Sequence, residues 1–204
     1  INKPLLTLLY ISFFWKATLA IFIVNKLKGT LLGEQEMASL QSETRNVDAM
    51  IAYGKGVAEL GHRTASSLQK ALRFFEDAVR LDANYARAYV GIADAKLLLS
   101  LYGDLTQEQA SIDATQAIDQ ALRIDDQLAA AYASRGLMLS ESDIPAAERS
   151  LLQAIELNPN YAMAHMWYGS LLKNRGNLVE AQGYFEQAYR LDPKSPVAAF
   201  NVAW

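Results

Sequence analysis

The chain has 204 residues, which is enough for one or two ordinary domains or for a single elongated array of repeats. Hydrophobic residues make up 51% of it, so we expect a large buried core rather than a disordered chain. The net charge of −3 gives no electrostatic basis for nucleic-acid binding, and no nucleic-acid partner is predicted. The absence of cysteine excludes thiol catalysis, disulfides and thiolate metal sites, but it leaves the redox compartment open.

Residues 1–26 are predicted to form an apolar helix. From Leu5 to Val24, sixteen of twenty residues are apolar, and this length is sufficient to cross a hydrocarbon core of about 30 Å. Lys16 opposes insertion at a cost of about 2.5–3.5 kcal/mol, which the apolar neighbours can offset. Residues 4–24 therefore predict either a membrane anchor or a helix packed on the first repeat or on another domain. The polar residues 27–46 that follow predict a linker helix.

Pairs of alanines seven residues apart recur along the rest of the chain. The pairs are Ala71 and Ala78, Ala114 and Ala121, Ala147 and Ala154, and Ala181 and Ala188. A large apolar residue stands between the members of each pair, and the second members are 43, 33 and 34 residues apart. A period of this kind is typical of stacked helical repeats, which usually bind other chains and seldom catalyse reactions.

Each repeat is predicted to be a pair of antiparallel helices. In the fourth repeat the helices cover about 162–174 and 178–191, with a turn at Gly176 between them. The eight paired alanines, which we call the alanine ladder, are expected to let the two backbones approach to about 8–10 Å, together with Gly136 and Gly169 on the first helices. The large residues between the alanines are expected to fill the space between successive hairpins. Pro159 and Pro193 follow second helices, since proline cannot continue the helical hydrogen bonds.

This pattern resembles the tetratricopeptide repeat over residues 47–195. The segment AMAHMWYGSLLKNRGNLVEAQGYFEQAYRLDPKS matches the pattern in register. The resemblance implies an all-α, right-handed solenoid of helical hairpins at about 47–85, 86–128, 129–161 and 162–195. The second repeat has a longer connection, placed at about 101–104, and residues 196–204 would begin a further repeat.

Residues 44–96 bear a narrower resemblance. The run TRNVDAMIAYGKGVAELGHRTASSLQKALRFFEDAVRLDANYARAYVGIADAK is similar to the repeat region of bacterial CadC-like membrane-spanning transcription activators and of certain adenylate cyclases. This resemblance implies a sensor or regulatory segment of a longer signalling protein. No winged helix, TolB-like domain or cyclase domain is visible, so neither activity is carried over to any residue.

The sequence begins at Ile1 and stops at Trp204 within a predicted helix, so we expect a fragment of a longer protein. An anchor at residues 4–24 would hold the array at a bacterial inner membrane, in the periplasm or the cytoplasm. Without an anchor, a cytoplasmic protein is expected. The flanking lysines favour the cytoplasmic side only weakly.

No catalytic or metal site is predicted, and no cofactor is expected. His62 falls in a turn, and His165 occupies a position held by Tyr89 and Tyr132 in neighbouring repeats, which favours a packing role. Asp125 ends a helix and indicates a turn. Neither a phosphate-binding loop nor a nucleophile motif occurs. The chain is therefore predicted not to be an enzyme.

Binding is predicted on the concave side of the first helices. The positions are Tyr53, Val57, Arg87, Val90, Asp94, Ala133, Leu137, Met163, Met166, Ser170 and Lys173. This groove is apolar and rich in methionine, which suits an extended or helical peptide, and it lacks the Lys, Asn and Arg set with which tetratricopeptide modules grip C-terminal carboxylates. The leading hypothesis is a non-catalytic scaffold for a protein or peptide partner. The alternatives are the regulatory segment described above and self-association through the open C-terminal repeat.

Overall fold

The structure is a computed structural model that describes residues 44–202. The predicted apolar helix at 1–26 and most of the predicted linker helix at 27–46 lie outside these residues. Residues 44–46 are described and are not helical, because Asn46 is the extended N-cap of the first helix. Within residues 44–202, no helix is both long enough and apolar enough to cross a membrane.

The described residues form nine α-helices and no strands. The helices are α1 (Val47–Leu60), α2 (Ala65–Leu81), α3 (Ala86–Tyr102), α4 (Gln107–Ile124), α5 (Ala129–Leu139), α6 (Ile144–Leu157), α7 (Ala162–Asn174), α8 (Leu178–Leu191) and α9 (Pro196–Val202). Consecutive helices pack as the hairpins α1–α2, α3–α4, α5–α6 and α7–α8, and α9 packs on α8. The all-helical array of hairpins predicted from the sequence is confirmed.

The second helix of every hairpin ends in the same way. The residue that follows it accepts a hydrogen bond on its side-chain oxygen from the backbone N–H two residues later, at 3.0 to 3.2 Å. Such a side-chain turn competes with continuation of the helix and fixes the start of the next connection. The four residues are Asp82, Asp125, Asn158 and Asp192. Asp125 is therefore a turn residue, as predicted.

The turn of the fourth hairpin depends on glycine. Gly176 has a φ of 83°, a left-handed conformation that glycine adopts without a steric penalty. The backbone N–H of Gly176 donates to the carbonyl of Lys173, and that of Asn177 donates to the carbonyl of Leu172. The flanking helices α7 and α8 have the predicted bounds.

The alanine ladder lies at the centre of the core. Its eight alanines, and the large residues between them, are at most 1% exposed. A Cβ atom added at Gly136 would lie 2.4 Å from Leu151 Cγ, and one added at Gly169 would lie 2.8 Å from the Phe185 ring. The glycines of the first helices therefore make room for the large residue of their own hairpin.

The two alanines of a pair lie at different places in the hairpin, although the sequence predicts the same role for both. The first alanine lies at the glycine crossing, since a Cβ added at Gly136 would be 3.1 Å from the carbonyl oxygen of Ala147, and one added at Gly169 would be 3.2 Å from that of Ala181. The second alanine lies in the last turn of the second helix. Its carbonyl accepts a hydrogen bond at 2.9 or 3.0 Å from the backbone N–H of the residue that ends this helix. These second alanines are Ala78, Ala121, Ala154 and Ala188.

The predicted role of the large residues needs a correction. The sequence places Phe185 between successive hairpins, but it packs on Gly169 within its own hairpin. Phe75 packs both within its own hairpin and against the next one. A Cβ atom added at Gly56 of its own hairpin would lie 2.5 Å from its ring, and one added at Gly91 of the next hairpin would lie 2.6 Å from it. The length of a phenylalanine ring allows it to reach across either interface.

The longer second repeat has a structural cause. α3 contains 17 residues, compared with 11 in α5 and 13 in α7. The connection is predicted to begin at Leu101, but the helix continues through Tyr102 and ends at Gly103. The additional turn is exposed, with Leu101 at 59%, and it extends α3 beyond the ends of α5 and α7.

Candidate functional site

Exposure divides the predicted groove residues into two groups. Six are half-buried and accessible: Val57, Arg87, Leu137, Met163, Ser170 and Lys173. The other five lie in the core: Tyr53, Val90, Asp94, Ala133 and Met166. Val90 and Met166 are only 3% and 4% exposed, because the neighbouring hairpins cover them. A partner cannot contact these five side chains unless the helices move.

A cavity of about 180 Å³ lies between the C-terminal halves of α3, α5 and α7, and we call it the groove cavity. The apolar lining consists of Leu97, Leu101, Leu137, Leu151, Trp167 and Leu171. The polar lining consists of Ser100, Gln107, Ser140, Glu141, Ser170 and Asn174. Leu101 is available there because of the additional turn of α3.

The groove cavity includes only two of the predicted site residues, Leu137 and Ser170. The remaining predicted residues do not line it. Several of the residues that were missed lie one helical turn further along the same helices: Leu97 after Asp94, Ser140 after Leu137, and Asn174 after Ser170. Continuing the helical period one more turn would have found them.

The hydroxyl protons of the serines on the polar rim are already engaged in hydrogen bonds to backbone carbonyls. Ser100 donates to the carbonyl of Leu97 at 2.7 Å, Ser140 to that of Leu137 at 2.7 Å, and Ser170 to that of Met166 at 3.0 Å. Each hydroxyl oxygen keeps acceptor capacity on its other side. With the exposed carboxylate of Glu141 beside them, these oxygens give the rim more acceptors than donors.

A buried polar contact lies one turn away from the groove cavity. Asp94 Oδ1 of α3 is 2.5 Å from Ser134 Oγ of α5. Burial raises the pKa of Asp94 to about 7, and the hydrogen bond from Ser134 and the charge of Arg63 oppose that shift. This contact joins the second hairpin to the third.

A second polar cluster joins the third hairpin to the fourth. Tyr168 donates its hydroxyl to Glu148 at 3.2 Å, and Arg175 donates to the other oxygen of that carboxylate at 2.8 Å. Burial, followed by the hydrogen bond and charge of Glu148, raises the pKa of Tyr168 to about 12. The phenol therefore stays a donor at neutral pH.

His165 has the packing role that the sequence favoured. Its Nε2 donates to the carbonyl of Pro159 at 2.7 Å, six residues before it. Tyr89 and Tyr132 donate in the same way to the carbonyls of Ala83 at 3.3 Å and Asp126 at 3.1 Å. These side chains tie the start of one hairpin to the end of the preceding one.

Among residues 44–202, no group of three or more His, Cys, Asp or Glu side chains is arranged to hold a metal ion. His62 lies exposed in the turn between α1 and α2, away from the groove cavity.

Comparisons with known proteins agree with this architecture. A family model described as "Tetratricopeptide repeat" matches residues 150–183. The crystal structure of TTC0263, a thermophilic TPR protein of Thermus thermophilus, superposes with a TM-score of 0.60 over 92% of this chain and 94% of that one, at 18% identity. The chain has the fold of tetratricopeptide-repeat (TPR) proteins, and one segment of it matches the repeat itself. The likeness to TTC0263 concerns the fold alone.

Two longer proteins are similar in sequence to parts of this chain. The transcriptional regulator HilA of Salmonella typhimurium is 27% identical over 164 residues, which are 80% of this chain and 30% of HilA. The human protein O-mannosyl-transferase TMTC1 is 29% identical over 113 residues, which are 53% of this chain and 12% of TMTC1. The chain spans less than a third of either relative, so their activities are not assigned to it.

Proposed function

We propose that this TPR array is a non-catalytic scaffold that binds a segment of a partner protein in the groove cavity. One observation carries the proposal: the first helices of three successive hairpins leave an open cavity with an apolar lining and a polar rim. A few polar groups around an apolar floor are typical of sites that fix a ligand's orientation while burying its apolar surface. A volume of about 180 Å³ accommodates one or two side chains of a peptide.

The chemistry of the rim narrows the class of partner. Its serine oxygens and the Glu141 carboxylate accept hydrogen bonds, so the bound segment should present donors to them. Backbone N–H groups and a lysine or arginine are suitable donors. The expected ligand is a short segment that places a large apolar side chain beside a basic residue.

Selection from a displayed peptide library against the full chain tests this function. The selected peptides should share an apolar residue next to a basic one. Glu141→Lys and Leu101→Ser should each weaken binding of those peptides about tenfold, which corresponds to about 1.4 kcal/mol. Glu156→Lys and Val179→Ser make the same chemical changes at exposed positions outside the groove cavity and should leave affinity unchanged. Equal binding by Glu141→Lys, Leu101→Ser and the wild type would contradict the proposal.

A second candidate function is a regulatory segment of a longer signalling protein. The match to HilA over 80% of this chain favours a transcription regulator. The complete reading frame around this sequence tests the candidate. A winged-helix domain in that frame would support it, whereas a frame without any DNA-binding or other signalling domain would rule it out.

We also propose that residues 4–24 attach the chain to a membrane. It is supported by the apolar run between Leu5 and Val24. Flotation with lipid vesicles should carry the full chain to the top of a density gradient, and a variant lacking residues 1–26 should remain at the bottom. Failure of the full chain to float would exclude the anchor and favour a cytoplasmic protein.

A further inference from the structure

The contact between Asp94 and Ser134 joins two hairpins close to the groove cavity. Both side chains are buried, at 8% and 0% exposure, and their oxygens are 2.5 Å apart. Leu97 and Leu137, which line the groove cavity, each lie one helical turn beyond this pair. A change in the contact therefore acts directly on the spacing of two lining residues.

Ser134 Oγ makes two close contacts, and the charge state of Asp94 decides whether both of them contain a proton. Ser134 Oγ also lies 3.1 Å from the carbonyl oxygen of Ala130. A hydroxyl has one proton, whereas a carbonyl and an ionised carboxylate can only accept. With Asp94 ionised, one of the two contacts has no proton. With Asp94 protonated, the carboxyl donates to Ser134, Ser134 donates to Ala130, and both contacts are satisfied.

Few charges act on Asp94. Arg63, in the turn between α1 and α2, is the charged group whose field reaches it. On α3 and α4, Lys96 is paired with Asp113 at 2.8 Å, and Arg135 of α5 is paired with Asp119 of α4 at 3.0 Å. The charged side chains of α1 and α2 are exposed or half-buried: Asp48, Lys55, Glu59, Lys70, Arg73, Glu76, Asp77 and Arg80.

We propose that Asp94 is a proton-controlled joint between the second and third hairpins, closed when the carboxyl is neutral and loosened when it ionises. Burial supports the change near neutral pH, since it raises the pKa of Asp94 to about 7 from 3.8. Between these two values the folded chain holds a proton that the unfolded chain has lost. The stabilising contribution is therefore complete below pH 3.8 and disappears as the pH rises through about 7. The effect on peptide binding rests on the proposed function, but the joint itself does not.

A carboxyl ¹³C NMR titration of the full chain tests the protonation state directly. The Asp94 resonance should titrate near pH 7. Asp113 is the internal control, because its hydrogen bond with Lys96 lowers its pKa and it should titrate below its usual range. An Asp94 midpoint near 4 would overturn the proposal.

Thermal unfolding tests the consequence for the fold. Asparagine at position 94 is neutral at every pH, so Asp94→Asn serves as the reference. As the pH rises from 5.5 to 8.5, the unfolding temperature of the wild type should fall by about 5 °C more than that of Asp94→Asn. Asp113→Asn removes a half-buried carboxyl from α4 whose lowered pKa keeps it ionised over that interval, so this variant should run parallel to the wild type. Parallel curves for Asp94→Asn would contradict the proposal.

Hydrogen exchange tests the loosening itself. After correction for intrinsic exchange, the amides of α5 should exchange several-fold faster above pH 7 than below it in the wild type, and not in Asp94→Asn. Equal protection on both sides of pH 7 would overturn the joint. These measurements require no ligand, so they do not depend on the outcome of the peptide selection. A failed peptide selection would contradict only the groove proposal, and a failed titration would contradict only the joint.

Discussion

Glycine on the first helix of a hairpin is set against a large residue on the second. Leu151 and Phe185 approach Gly136 and Gly169 so closely that an added methyl group would overlap them. In the second hairpin the corresponding large residue is the shorter Ile118, and alanine is tolerated at Ala93, where both are fully buried. The reach of the large side chain is therefore matched to the size of the residue that faces it on the first helix.

A matched pair of glycine substitutions tests this packing. Gly136→Ala should lower the free energy of unfolding by about 2 kcal/mol, because the new Cβ would lie 2.4 Å from Leu151 Cγ and 3.1 Å from the backbone oxygen of Ala147. Gly183→Ala should raise it by about 0.5–1 kcal/mol, because an added Cβ there meets nothing within 4 Å and alanine favours the helix. Urea denaturation measures both changes. Stabilisation by Gly136→Ala would show that Leu151 can move aside at little cost.

Successive hairpins are joined by a connection that recurs with different residues. An Asp or Asn side chain ends the second helix, and a Tyr or His at the start of the next hairpin donates to a carbonyl within the connection. Histidine fulfils this role incompletely at position 165. Its Nε2 is bonded, but its buried Nδ1 has no hydrogen-bond partner.

Replacing the histidine should improve the connection. We expect His165→Tyr to raise the free energy of unfolding by about 1 kcal/mol, because it removes a buried polar atom without a partner and keeps a donor for the carbonyl of Pro159. Tyr132→Phe should lower it by about 0.5–1 kcal/mol, since it loses the hydrogen bond to Asp126. Calorimetry of both variants measures these changes in the free energy of unfolding. A loss of stability in His165→Tyr would mean that the imidazole ring fits its stacking against Tyr184 better than a phenol does.

The array as a whole is a stack in which each hairpin is covered by its neighbours. At its C-terminal end, α9 covers part of the fourth hairpin with Val197 and Val202. Phe200 of the same helix remains 69% exposed. In a repeat array, such a face is where the next helix or another molecule would pack.

Self-association should therefore depend on α9. Sedimentation equilibrium of the full chain is expected to show reversible association that Phe200→Ser weakens about tenfold, since an exposed apolar surface drives such contacts. Ile112→Ser changes an exposed apolar residue of α4 and should have no effect. A purely monomeric wild type would remove self-association from the functions considered for this chain.

The sequence by itself determined the period, the alanine ladder, the bounds of α7 and α8 and the place of His165. These features depend on residue volume and on contacts within one hairpin or with its immediate neighbour, which a repeating pattern records. The tertiary structure decided which concave positions remain accessible. Val90 and Met166 match the groove register but are covered by other hairpins, and Ser134 meets a carboxylate 40 residues away. Burial of this kind depends on how the hairpins stack, and no local pattern contains it.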